Sequence, residues 1–217
     1  MRQFLLILMF VTLLIQSCKD NICNEKNIKK RIGYYNLLKA ENDSNRISTI
    51  DSLFIDCGYQ DVEMYADKAS YYFAKSRWEN AINAYSIALD LGYDKEIVYN
   101  NRAICYSKIN QPELAWNDYN ILKKYNTMGE TGMQLLEYQI FNNTNEKEKA
   151  LNIINTILID HPNSAIYHYE KSNVLLSIGD TTGYCETINK AIKLGITKIV
   201  TKNESQLLRV CTESKKP

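Results

Sequence analysis

The sequence predicts an all-α chain built of stacked helix-turn-helix pairs, and three observations lead there. First, Tyr65 and Tyr99, Ala69 and Ala103, Tyr72 and Tyr106, Ala81 and Ala115, and Tyr85 and Tyr119 each lie 34 residues apart. A fixed interval of 20–50 residues is the mark of a repeat architecture. Second, glycines extend the register outward. Gly58 to Gly92 is 34 residues, and Gly92 to Gly195 is 103, three intervals plus one. Ala115 to Ala150 is 35, which places the extra residue in the turn at 126–130. Third, only 8 Gly and 3 Pro occur in 217 residues, so long stretches are free of helix breakers.

Residues 1–17 read as a signal peptide. Arg2 starts it, and residues 4–15 are apolar except Thr12. Twelve helical residues reach about 18 Å, well short of the roughly 30 Å hydrocarbon core. The run ends in Ile15-Gln16-Ser17-Cys18, which resembles the lipobox of bacterial lipoproteins. That resemblance implies cleavage before Cys18, acylation of its sulfur and amino group, and a lipid anchor as the membrane contact. The alternative is a soluble secreted protein in which Cys18 is incidental. Residues 18–27 are then a polar tether. Its Lys19-Asp20 partly matches the signal that sends some Gram-negative lipoproteins to the cell surface. The two sides of the membrane stay open.

Residues 28–61 form a degenerate capping repeat, with Arg31, Tyr35, Leu38 and Ile47 in the slots of Tyr65, Ala69, Tyr72 and Ala81. A terminal unit is atypical because one face meets water. Full repeats follow at 62–95, 96–130, 131–164 and 165–198. Tyr65-x3-Ala69-x2-Tyr72…Ala81-x3-Tyr85-x2-Ala88 defines the pattern, and Tyr99-x3-Ala103-x2-Tyr106…Ala115-x3-Tyr119 repeats it. Phe141…Ala150-x3-Ile154…His161-Pro162 and Ser172…Ile188-x2-Ala191 are the third and fourth, with Tyr184 replacing the second-helix alanine in the last. This pattern resembles the tetratricopeptide repeat (TPR), and the resemblance implies a right-handed α-solenoid. Ala69 and Ala81 are small because the two helices of a pair touch there at 8–10 Å. Ser76/Glu79, Asn110/Glu113 and Asn145/Glu148 are read as capping boxes at second-helix starts. Pro112 occupies a tolerated first-turn position, and Gly58, Gly92 and Gly195 stand where a left-handed stop is needed. Residues 199–217 are a C-terminal capping segment in which 204–212 is expected to be helical.

Charge and composition exclude several functions. Removal of Arg2 leaves 25 basic against 25 acidic residues, and such a chain lacks the basic excess on which nucleic-acid binding relies. His161 and His168 have no partners at ligand spacing, so both read as structural and no metal or cofactor is expected. Gly129-Glu130-Thr131-Gly132 lacks the lysine of a phosphate loop, and no nucleophile-elbow or zinc-protease motif occurs. The expectation is a non-enzyme.

The TPR resemblance also implies a groove lined by first helices. Its slots carry Glu63, Ala66, Ser70 and Phe73, then Asn100, Ile104, Ser107 and Lys108. Leu135, Gln139 and Asn142 follow, then Ile166, Tyr169 and Asn173. The Lys/Asn carboxylate clamp of some co-chaperone TPRs is replaced by Ala66 and Ser70. Mixed apolar, amide and single-charge residues suit an extended peptide or a partner's helix. Solvated slots are the plainer alternative. Five cysteines remain beyond Cys18, in an oxidising compartment where pairing is permitted. The Cys185-x5-Ala191…Gly195…Cys211 arrangement resembles the ends of envelope TPR lipoproteins. If the helix expected at 204–212 folds back antiparallel, Cys211 returns to the level of Cys185, which makes the two disulfide candidates; two separate buried thiols is the competing reading. Cys23, Cys57 and Cys105 stay unassigned. The function these features imply is a lipid-anchored protein–protein interaction module, an adaptor or assembly factor of the outer envelope. A surface lipoprotein that binds glycan or peptide for uptake is the alternative, and an enzyme with an unrecognised site a third.

Overall fold

A computed structural model of the chain describes residues 23–125, 128–196 and 211. Cys18 and its lipobox, two residues of the turn assigned the extra residue, and the 199–217 segment except Cys211 lie outside them. The chain divides into two compact units, Met1–Asp94 and Lys95–Pro217. In the first unit the described residues form helices α1 (Glu25–Ala40), α2 (Asn45–Cys57), α3 (Val62–Ala74) and α4 (Trp78–Asp90), each packed on the next. The second unit holds α5 (Glu96–Lys108), α6 (Pro112–Tyr125), α7 (Gly129–Asn143), α8 (Lys147–Asp160), α9 (Ala165–Ser177) and α10 (Thr181–Lys193). Here α5 pairs with α6, α7 with α8 and α9 with α10, while α7 also meets α5 and α6, and α9 also meets α8. The fold is all-α.

Helix α1 starts at Glu25, inside the segment expected to be tether. Two local causes hold it there. The Asn24 side chain accepts the Asn27 N–H at 2.9 Å, and Cys23 is disulfide-bonded to Cys57 at the end of α2, with a Cα separation of 5.1 Å.

Turns within the pairs correct the capping-box expectation. Ser76, Asn110 and Asn145 are not N-caps; they have φ of 55°, 57° and 66° and stand one residue earlier, as the left-handed stops of α3, α5 and α7. The Ser76 N–H donates to Phe73 O and that of Arg77 to Tyr72 O, closing the α3 carbonyls in a Schellman pattern. Gln111 to Tyr106, Glu146 to Phe141 and Asp180 to Leu175 repeat the longer bond, and Asp43 to Leu38 adds it in the degenerate first pair. Asn serves at three of these stops because its short polar side chain tolerates the left-handed region best after glycine. Second helices α4 and α8 accordingly have Arg77 and Glu146 at their N-cap positions, neither giving a side-chain cap.

Small repeat positions are sealed: Ala69, Ala81, Ala103, Ala115, Ala150 and Ala191 are fully buried. Leucine at position 115 has no space on α6, so Ala115→Leu is expected to cost about 1–3 kcal/mol through overpacking. An unchanged urea midpoint would show that α5 and α6 are not in close contact there.

Larger residues at the same slot tie neighbouring pairs together. Tyr35, in the slot of Ala69, is buried and its hydroxyl donates to Asp67 on α3 at 3.3 Å. Tyr138, in the slot of Ala103 once the extra residue is counted, donates to Glu170 on α9 at 2.9 Å. Burial, then the facing carboxylate, pushes both phenols far above their ordinary range, so they remain donors.

A cation sits between the paired tyrosines of successive repeats. Lys68 lies over Tyr65 and Tyr72 at 5.9 and 6.0 Å, and Arg102 over Tyr99 and Tyr106 at 5.8 and 5.7 Å. Lys68 turns to Asp51 of α2, whereas Arg102 makes a two-pronged pair with Asp118 of α6 at 2.8 and 2.7 Å.

Candidate protein-binding surface

In the second unit, the first helices α5, α7 and α9 are fixed to one another by polar ties. Asn143 of α7 donates to Ser107 Oγ of α5 at 2.8 Å, and Tyr138 of α7 reaches Glu170 of α9. Ser107 itself donates to the Ile104 carbonyl and is fully buried. It is therefore an internal strut and not a groove residue. The other expected positions recur at helical spacing, which puts Asn100, Ile104 and Lys108 on one face of α5. Leu135, Gln139 and Asn142 share a face of α7, and Ile166, Tyr169 and Asn173 a face of α9.

These positions differ in what they can offer a partner. Ile104, Leu135 and Tyr169 are half-buried and pack sideways on the core of Leu136 and Ile140, of Ile154 and Val174, and of Leu175 and Ile188 respectively. Asn100, Gln139 and Asn173 are half-buried amides, Lys108 is exposed, and Ile166 is half exposed. Asn142 is engaged: Lys147 at the start of α8 donates to its Oδ1 at 2.8 Å and also to its backbone carbonyl. Burial, then the neighbouring Lys108, holds the Lys147 ammonium below its ordinary value. Lys108 and Lys147 thus place two positive charges beside the α5 and α7 faces. Lys147 escaped the periodic reading because it belongs to a second helix. Its one sequence hint is a basic residue at a helix N-terminus, where the macrodipole opposes it.

In the first unit, Phe73 is half-buried and meets Trp78 edge-on, with ring centroids 5.7 Å apart. Glu63 and Ser70 are exposed. Ser70 borders a cleft of about 480 Å³ whose wall includes Arg46, Asp67, Tyr71 and Lys75. The cleft is polar because Arg46 is bound to Asp67 at 2.8 Å and lies over the Tyr71 ring at 5.1 Å.

Reactive groups are few. Among the described residues no group of three His, Cys, Asp or Glu is placed to hold a metal. His168 is buried with its ring nitrogen 2.9 Å from the Pro162 carbonyl, a link between α9 and the turn before it. His161 stacks edge-on to Tyr167 at 5.6 Å. The Cys105 thiol is buried, and burial pushes it up to about 12, so it stays protonated and inert. Cys185 on α10 is bonded to Cys211, with a Cα separation of 5.3 Å. No described helix is long and apolar enough to cross a membrane.

No family model matches the chain, and no curated protein sequence does. Solved structures do match. A tetratricopeptide repeat protein from Parabacteroides merdae superposes with a TM-score of 0.60 at 12% identity, over 91% of this chain and 90% of that one. MamA from Desulfovibrio magneticus, from its residue 41 onward, gives 0.60 at 12% identity over 82% and 99%. PilW, described as a widely conserved type IV pilus biogenesis factor, gives 0.56 at 12% identity over 88% and 92%. Identity this low speaks for the architecture alone, and it agrees with the buried alanine slots and repeated turn stops: the chain has the α-solenoid fold of the tetratricopeptide repeat proteins.

Proposed function

We propose that this chain is a membrane-anchored TPR interaction module that holds a peptide or helix of a partner protein against its first helices, as an adaptor or assembly factor of the bacterial envelope. The observation that carries the reading is the face of α5, α7 and α9. Hydrogen bonds between helices hold it rigid, and it presents half-buried amides beside apolar side chains that are only partly covered. A preordered surface of this kind lowers the entropic cost of binding. Lys108 and Lys147 add an electrostatic preference for a segment carrying an acidic residue. The envelope assignment draws on Ile15-Gln16-Ser17-Cys18 and on two disulfides, which persist in oxidising compartments. PilW, a pilus biogenesis factor of the same fold, supplies the analogy for assembly work.

Gln139→Arg together with Asn173→Arg is expected to reduce the crosslinked partner recovered from native membranes at least tenfold, with an unchanged urea midpoint. Both residues are half-buried polar positions, whereas Ile104 and Leu135 also pack on the core and would confound the result. Undiminished crosslinking would remove the groove from the proposal. The anchor is tested separately. Cys18→Ala is expected to block normal processing and to release from the membrane fraction any chain whose signal peptide is removed by another route. A Cys18→Ala chain that is processed normally and still sediments with membranes would refute the lipid assignment.

A further inference from the structure

Helix α1 has an outer face that carries both lysines and exposed apolar side chains. Ile28, Ile32 and Tyr35 turn inward to pack with Ile47, Ile50 and Leu53, and Leu38 is buried on the same side. On the opposite side Lys26, Lys30, Gly33 and Leu37 follow one another at spacings of four, three and four, which is a single stripe along the helix. Tyr34 borders it. Tyr34 and Leu37 are 52% and 54% exposed. A shallow depression of about 450 Å³ runs between Asn27, Lys30, Arg31 and Tyr34. The stripe therefore starts basic and ends apolar.

The position of this helix in the chain says what covers it. Cys23 is clamped to Cys57, so the start of α1 cannot swing away from the body of its unit. Cys23 lies five positions after Cys18, with four residues between them, and five extended steps span at most roughly 18 Å. An acylated Cys18 would keep Cys23, two residues before α1, within that distance of the headgroups, and so hold α1 at a high effective concentration. Two half-exposed apolar side chains are too few for the roughly 800 Å² per partner of a stable protein interface. They are enough to supplement an existing anchor at a surface whose anionic lipids attract lysines.

Resting on the lipid-anchor reading above, we infer that the outer face of α1 lies on the membrane, with Lys26 and Lys30 among anionic phospholipid headgroups and Tyr34 and Leu37 at the edge of the acyl region. The full acylated chain, purified from membranes and reconstituted in phosphatidylethanolamine/phosphatidylglycerol vesicles, tests this by photo-crosslinking. Tyr34→p-benzoylphenylalanine and Leu37→p-benzoylphenylalanine are expected to yield lipid adducts. Ile55→p-benzoylphenylalanine, at a position of the same unit that is 72% exposed on α2, is expected to yield at least fivefold less. Adding Lys26→Glu and Lys30→Glu, both exposed and so neutral to folding, should cut the adducts at 34 and 37 at least fivefold, on the basis of about fivefold per lysine. No lipid adduct at 34 or 37 in a chain whose Cys18 carries its acyl groups would overturn the docking and leave the anchor standing. Adducts to protein at these sites, or equal lipid labelling at 55, would overturn it as well. A chain without acyl groups on Cys18 would overturn anchor and docking together.

Discussion

Asp118→Ala is expected to lower the unfolding free energy by about 3–5 kcal/mol, the cost of removing one partner from a buried ion pair. Asp118 is 2% exposed and receives both prongs of the Arg102 guanidinium. Without it, a charge held between the Tyr99 and Tyr106 rings has lost its counterion. The Arg102 side chain keeps 16% exposure, so partial rescue by water places the effect toward the lower end. Urea melts check it, and a midpoint that barely moves would mean that the pair is solvated. A double change, Arg102→Met with Asp118→Leu, is expected to recover most of the loss, because well-packed apolar residues often replace such a pair at no cost. Raising the salt concentration should leave the single-variant difference in place, since a buried pair is poorly screened.

That ion pair also shows where the sequence stops being readable. The helix pairs are legible because they rest on repeated small and aromatic residues, whose burial follows directly from the 34-residue interval. Arg102 and Asp118 fall between those slots and look like ordinary solvent-facing charges. Only the two flanking tyrosines, brought to one side of α5, give the guanidinium an interior place. The turn stops are a second case. Ser76, Asn110 and Asn145 stand three residues before a glutamate and satisfy the pattern of a capping box. A left-handed stop and an N-cap are chemically alike in sequence, since both favour short polar side chains. The hydrogen bonds of Arg77, Gln111 and Glu146 to carbonyls of the preceding helix distinguish them.

The proposed binding face is legible in part. Spacing finds the helix face on which Asn100, Gln139 and Asn173 lie, because the face is set by the repeat register. It does not find which slots are already consumed. Ser107 looks like an open polar slot until Asn143 is brought beside it, and Asn142 looks available until Lys147 arrives from α8. Both partners come from positions outside the slot pattern. A register reading names the face, while the neighbours decide which atoms on it remain for a partner.

Opening either disulfide is expected to destabilise its own end of the chain, by chain-entropy estimates of about 3.5 kcal/mol for Cys185–Cys211 and about 3.8 kcal/mol for Cys23–Cys57. The closed loops follow from separations of 26 and 34 residues. Terminal units of a solenoid have a neighbour on one side only. Cys57→Ser is therefore expected to raise hydrogen exchange in α1 and α2, and Cys185→Ser to raise it in α10, each with little change elsewhere. Uniform acceleration in either variant would instead indicate one cooperative unit. Thiol titration gives an independent check that also bears on Cys18. With four cysteines paired and Cys18 carrying its thioether, a chain purified from membranes without reductant should show no reactive thiol when native and one when denatured. The one is Cys105, which burial keeps protonated until the fold opens. Two thiols after denaturation would expose an unmodified Cys18 or a mixed population, and three or more would mean that a disulfide is open in the purified chain.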